Sequence, residues 1–114
     1  MSEPVSAASA EHYTWGNVCD GWQLLRGENL SVIEERMPPG SEEQRHFHTS
    51  ARQFFYVLSG ELTMEVAGRF YLLQARQGLE IAPGEPHQAR NRSGTDSHFL
   101  VISQPPSHVD RQLA

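Results

Sequence analysis

Two histidines one residue apart, His46-Phe47-His48, are the sharpest chemical feature of this 114-residue sequence. In an extended strand, residues two apart project to the same face, so His46 and His48 can aim both imidazoles at one point. Convergent imidazoles are the beginning of a transition-metal site. Carboxylates stand close by in sequence at Glu42 and Glu43, and Glu85 lies just before a further histidine, His87. A carboxylate in a metal-bearing cavity can accept a proton, so each is a candidate general base or extra ligand, although charged loop residues more commonly face water. His12 and His108 lie towards the ends of the chain, where surface positions are expected. The single cysteine, Cys19, has no partner for an internal disulfide, which agrees with a reducing, cytoplasmic compartment. Beside Gly21 and Trp22 it reads as a packing residue rather than a nucleophile.

The elements that must hold these groups read as short strands. Leu30 to Met37 (LSVIEERM) alternates loosely, is rich in long and β-branched apolar residues, and is ended by Pro38-Pro39-Gly40. After His46–His48 and a turn at Thr49 to Arg52 comes Gln53 to Leu58 (QFFYVL). Gln53, Phe55 and Val57 share one of its faces; Phe54, Tyr56 and Leu58 share the other. A strand apolar on both faces predicts a layer on each side: another sheet, the aromatic segment around Trp15 and Trp22, or a second subunit. Ser59-Gly60 then turns the chain into a half-buried strand in which Leu62, Met64 and Val66 alternate with polar residues. Further strands are expected at Phe70 to Gln74, Leu79 to Ala82, His87 to Asn91 and His98 to Ser103. Turns rich in Gly, Pro, Ser and Asn separate them, and no stretch has a 3.6-residue period, so the pattern predicts an all-β sandwich or small barrel without a helix.

One domain fits this length, and there is no room for a second independent core. Residues 1–11, rich in Ser and Ala, are expected to be loosely held; residues 12–104 form the domain; residues 105–114, with two prolines and charged side chains, read as a tail along the surface. Nine basic against fourteen acidic residues give a formal charge of −5, and the basic residues, all arginine, are scattered rather than striped. No nucleic-acid footprint is visible, and no apolar run suits a membrane span.

Two spaced patterns tie these features together. The first is Gly40, five residues, His46-x-His48, four residues, Gln53, six residues, Gly60; the second is Gly78, four residues, Pro83-Gly84-x-x-His87, three residues, Asn91. In this order and spacing they closely resemble the two motifs of the cupin superfamily, with the proline one position late and Gln53 where the family carries glutamate. The resemblance spans roughly Leu30 to Ser103. It implies a double-stranded β-helix, or jelly-roll, barrel that holds one divalent transition metal (Zn, Ni, Fe, Mn or Co) on His46, His48, Gln53 and His87. A glutamine ligates through a neutral amide oxygen, a weaker donor than carboxylate, and the loss of a carboxylate from the set lowers the expectation of iron-dependent oxygen chemistry. Phe55, Val57 and His98 are expected to line the cavity. The resemblance is strongest to small single-domain cupins of the mannose-6-phosphate isomerase-like and polyketide-synthesis-associated kinds. It implies either a metal-dependent enzyme of isomerase, cyclase or oxygenase type, acting on a small polar or aromatic molecule, or a non-catalytic module that binds a small ligand. A homodimer is expected, its interface built on the two-faced strand Gln53 to Leu58 and the Trp15/Trp22 segment.

Overall fold

The computed structural model describes residues 2–114, which form two packed antiparallel sheets and, apart from strands, a single 3-10 turn at Ser107–Val109. The strands run β1 (Glu11–Trp15), β2 (Cys19–Arg26), β3 (Ser31–Met37), β4 (His46–His48), β5 (Arg52–Ser59) and β6 (Glu61–Val66). They continue as β7 (Arg69–Gln74), β8 (Gly78–Ile81), β9 (His87–Arg90), β10 (Ser97–Gln104) and β11 (Arg111–Leu113). The larger sheet has the order β1-β2-β3-β10-β5-β8 and the smaller β11-β4-β9-β6-β7. After β3 the chain passes back and forth between the two sheets, except at the β6–β7 hairpin within the smaller one, which is the double-stranded β-helix expected from the sequence.

Period-two alternation decides what each strand buries. In β5 Gln53, Phe55 and Val57 turn inward; in β10 Ser97, Phe99, Val101 and Ser103 do the same. With Met37, Leu62, Met64, Ile81 and Ala89, the apolar members of these rows, Phe55, Val57, Phe99 and Val101, make one continuous core between the sheets. Each large side chain removed from water there stabilises the fold by about 1.5–3 kcal/mol. Cys19 is fully buried within this core, and burial pushes its thiol above the ordinary range, in keeping with a packing role.

The second apolar face of β5 is not covered as fully as its composition suggests. Phe54 is 40% exposed and stacks on Tyr56 with ring centroids 6.4 Å apart. This chain therefore leaves an aromatic strip on the outer face of the larger sheet.

The residues after Gln104 correct the expectation of a mere tail. Strand β11 is exposed, but it pairs with β4 through Arg111↔His48, Gln112↔Phe47 and Leu113↔His46, so it forms the edge of the histidine-bearing sheet. At the end of the first motif, Gly60 has φ +74°, and a Cβ there would meet the Asp96 carbonyl oxygen at 2.2 Å. Asn91, at the end of the second, donates to the Met37 and Thr95 carbonyls and accepts from Ser93. Both motif ends are thus loop-fixing residues, set apart from the chemistry between them.

Candidate metal centre

Strands β4 and β9 bring three imidazoles together. His46 and His87 are direct register partners, and His48 follows two residues on along β4. Ring centroids lie 4.4 Å apart for His46–His87, 4.9 Å for His46–His48 and 5.8 Å for His48–His87. One ligand nitrogen from each falls within 4.8 Å of the others, and all three residues are buried. The three histidines are positioned to bind a metal.

Each ring is fixed through Nδ1. His46 Nδ1 donates to the Gln44 carbonyl at 2.8 Å, and His87 Nδ1 to the Glu85 carbonyl at 2.9 Å. His48 Nδ1 reaches Asp110 Oδ1 at 3.0 Å. Committing Nδ1 as donor fixes the tautomer and leaves Nε2 as the ligand atom. Burial drives all three rings towards the neutral state a metal requires, taking His46 down to about 3 and His48 and His87 below their ordinary value. The Gln44 and Glu85 carbonyls and the Asp110 carboxylate oppose that shift without overcoming it.

Gln53 approaches from the opposite sheet. It is buried, and its Nε2 donates to Ser103 Oγ at 3.1 Å, the register partner on β10. This leaves Oε1 without a partner, and among the described residues the buried side-chain polar atoms in that condition are Gln53 Oε1, His87 Nε2 and Ser97 Oγ. An unpartnered buried polar atom costs about 1–3 kcal/mol. Two such atoms occurring on two of the four motif positions fit a bound cation that both would ligate.

His46, His48 and Gln53 line a cavity of about 400 Å³ between the sheets. Trp15, Ile33, Phe55 and Val101 give it apolar walls, and Tyr13, Glu35, Glu43, Arg26 and Arg111 bring polar groups to it. Burial raises the Glu35 carboxyl to about 8, with the charge of Glu43 adding to the effect, and raises Glu43 to about 7. Tyr13, Gly21 and Glu35 stand in one row across β1, β2 and β3. A Cβ at Gly21 would lie 2.3 Å from Tyr13 Cζ, so glycine is the gap through which the phenol crosses β2 towards Glu35.

The family of the chain follows from matches made independently of this geometry. A model of the cupin domain family matches residues 33–103, well over half of the chain. The chain is a cupin. An uncharacterized protein of Methanocaldococcus jannaschii is 26% identical over 91 residues, 79% of this chain and 73% of that one. The polyketide synthase CurC of Streptomyces cyaneus is 32% identical over 82 residues, 67% of this cupin but only 53% of CurC. Among solved structures, the polyketide cyclase RemF from Streptomyces resistomycificus superposes with a TM-score of 0.87 at 19% identity, covering 100% of this cupin and 86% of RemF, a likeness of fold.

The remaining predicted positions divide sharply in this cupin. Phe55 lines the cavity and meets His87 edge-on, ring centroids 6.0 Å apart. Val57, one pleat further on, is fully buried in the core away from the cavity. His98 is not a lining residue: it follows the inward Ser97 on β10, so the pleat turns it outward with Leu100 and Ile102. Of the three candidate bases only Glu43 reaches the cavity, where Oε2 accepts from the Ala89 N–H at 2.8 Å and Oε1 lies 3.9 Å from His46 Nδ1. Glu42 is on the surface beside Gln88 and Arg90, and Glu85 caps the Ala82 N–H in its own turn. His108, expected on the surface, is exposed and borders the cavity mouth. Tyr13, Glu35, Asp110 and Arg111 were not anticipated. Only Glu35 left a signal in the sequence, as a charged residue in phase with Ile33 and Met37 on the inward face of β3.

Proposed function

We propose that this cupin is a metal-dependent enzyme acting on a small polar or aromatic molecule, with one divalent transition metal (Zn, Ni, Fe, Mn or Co) held by His46, His48, His87 and the amide oxygen of Gln53. The observation that carries the reading is the pair of buried, unpartnered donors, Gln53 Oε1 and His87 Nε2, on opposite sheets. Held by four neutral donors, such an ion retains its +2 charge and polarises a bound water or an anionic ligand. The protein's part is to keep three imidazoles neutral and oriented through Nδ1, to exclude bulk water with Trp15, Ile33, Phe55 and Val101, and to place the Glu43 carboxyl within reach as a proton acceptor. Isomerisation, cyclisation and oxygenation are all compatible with that equipment. The likeness to the polyketide synthase CurC, which spans about half of that protein, supports a place in polyketide synthesis. We place the enzyme in the cytoplasm as a homodimer, paired through the aromatic strip of β5, where Phe54 is 40% exposed.

Elemental analysis of protein purified without added metal should find close to one transition metal per chain. Absence of metal, even after soaking in each candidate ion, would sink the metal-site reading. Turnover assays under air with sugar phosphates and with phenolic substrates then separate enzyme from binder. A compound that raises the melting temperature but yields no product with any of these substrates would mark a non-catalytic ligand-binding module.

A further inference from the structure

Arg111 is the cation in the cavity whose own surroundings do not explain it. Arg26, Arg36, Arg45, Arg52 and Arg90 each have a carboxylate oxygen within 4.0 Å, and Arg92 lies over the Phe70 ring. Arg111 lines the cavity and, among the described residues, has no carboxylate in that range. Its nearest polar contact is His46 Nδ1, 3.4 Å from Nη2. That nitrogen already donates to the Gln44 carbonyl at 2.8 Å, so guanidinium and imidazole meet donor to donor and neither gains a hydrogen bond. Strand register fixes the position: Arg111 pairs with His48 across β11 and β4, which sets its side chain beside the histidine cluster rather than out along the edge. Its charge extends to the far wall, where it lowers the proton affinity of Glu35.

We infer that Arg111 is the anchor for an anionic group on the ligand, and that the cavity takes a small aromatic carboxylate. A planar guanidinium with free N–H groups matches a carboxylate in a bidentate fork. The rest of the cavity fits the ring. Trp15, Ile33, Phe55 and Val101 form apolar walls around about 400 Å³, room for roughly two fused rings. The Glu35–Tyr13 row faces the ring from the β1–β3 side, where it can meet a hydroxyl or carbonyl substituent. This inference deepens the proposed function by naming its substrate class, and it rests on that reading only for the chemistry; the anchor itself belongs to the protein with or without metal.

The test is calorimetric titration of the full chain with 2-naphthoate and with its neutral counterpart 2-naphthamide, on metal-free and metal-loaded protein in parallel, with metal content measured in each sample. The expected result is at least tenfold tighter binding of naphthoate in both forms. Arg111→Gln should lose that preference while metal content stays the same, and Arg111→Lys should keep part of it, because charge remains but the fork is gone. Backbone pairing of β11 does not involve the side chain, so both variants should fold, which circular dichroism would verify. Equal binding of acid and amide by the wild type, or no binding of naphthoate at millimolar concentration, overturns the inference. So does a preference that survives Arg111→Gln or exists only in metal-loaded protein, since the ion would then be the anchor. A protein that holds no metal yet prefers naphthoate through Arg111 would overturn the metal reading alone.

Discussion

His46 and His87 are held in one way and His48 in another. The first two donate Nδ1 to backbone carbonyls two residues earlier in their own segments, Gln44 and Glu85. His48 is held by a side chain 62 residues away, Asp110, whose second oxygen accepts from the Ser50 and Ala51 N–H groups. Burial works to raise the Asp110 carboxyl, but those N–H groups and His48 outweigh it and hold the group below its ordinary value. A backbone anchor survives almost any substitution, because every residue has a carbonyl. A side-chain anchor does not. Two-thirds of the imidazole cluster is therefore built into local chain geometry, and one-third depends on the last strand being in place.

The contrast can be broken from several directions. The largest effect is expected from His87→Ala, which removes the deepest imidazole and should abolish metal retention in elemental analysis. Next comes Asp110→Ala: His48 loses its orienting partner and the turn loses two hydrogen bonds, so metal affinity measured by chelator competition should fall about 10–100-fold. If affinity there is unchanged, the distinction between the two kinds of anchor has no functional weight. Gln53→Glu should retain metal or bind it more tightly, because a carboxylate replaces a neutral donor; loss of metal would show that Gln53 is no ligand. The smallest effect concerns the wall away from the histidines. Glu35 has its proton affinity raised to about 8 by burial, against an ordinary 4.5 in the unfolded chain. Between those values the unfolded chain binds fewer protons, so stability falls as pH rises through the window. Metal-free protein should lose about 1–3 kcal/mol more than Glu35→Gln between pH 5 and pH 8 in urea unfolding, a fraction of the full linkage because the carboxyl is only half-buried.

Much of this was legible before the structure. The spacing of His46, His48, Gln53 and His87, with Gly60 and Asn91 at the motif ends, belongs to the fold itself, and strand alternation placed Phe55 on the inner face. Alternation misled at Val57, because a pleat tells inside from outside but not which level of the barrel interior a side chain reaches. At His98 the error was one of phase: the strand begins at Ser97, and a shift of one residue sends a side chain to the opposite face. Asp110 and Arg111 could not be seen, since a three-residue exposed strand carries no hydrophobic period. Nor could the row of Tyr13, Gly21 and Glu35, which exists only once three strands are in register.

The indole of Trp15 gives the cavity a built-in optical reporter. Its N–H is tied to the Asp20 carbonyl at 3.1 Å while its ring forms part of the wall, so it cannot swing away when the cavity fills. Trp22, the other tryptophan, sits on the outward face of β2 with its ring 5.4 Å from His12. In a Trp22→Phe background, intrinsic emission comes from the cavity wall alone, and candidate ligands can be ranked by its quenching before any reaction is known.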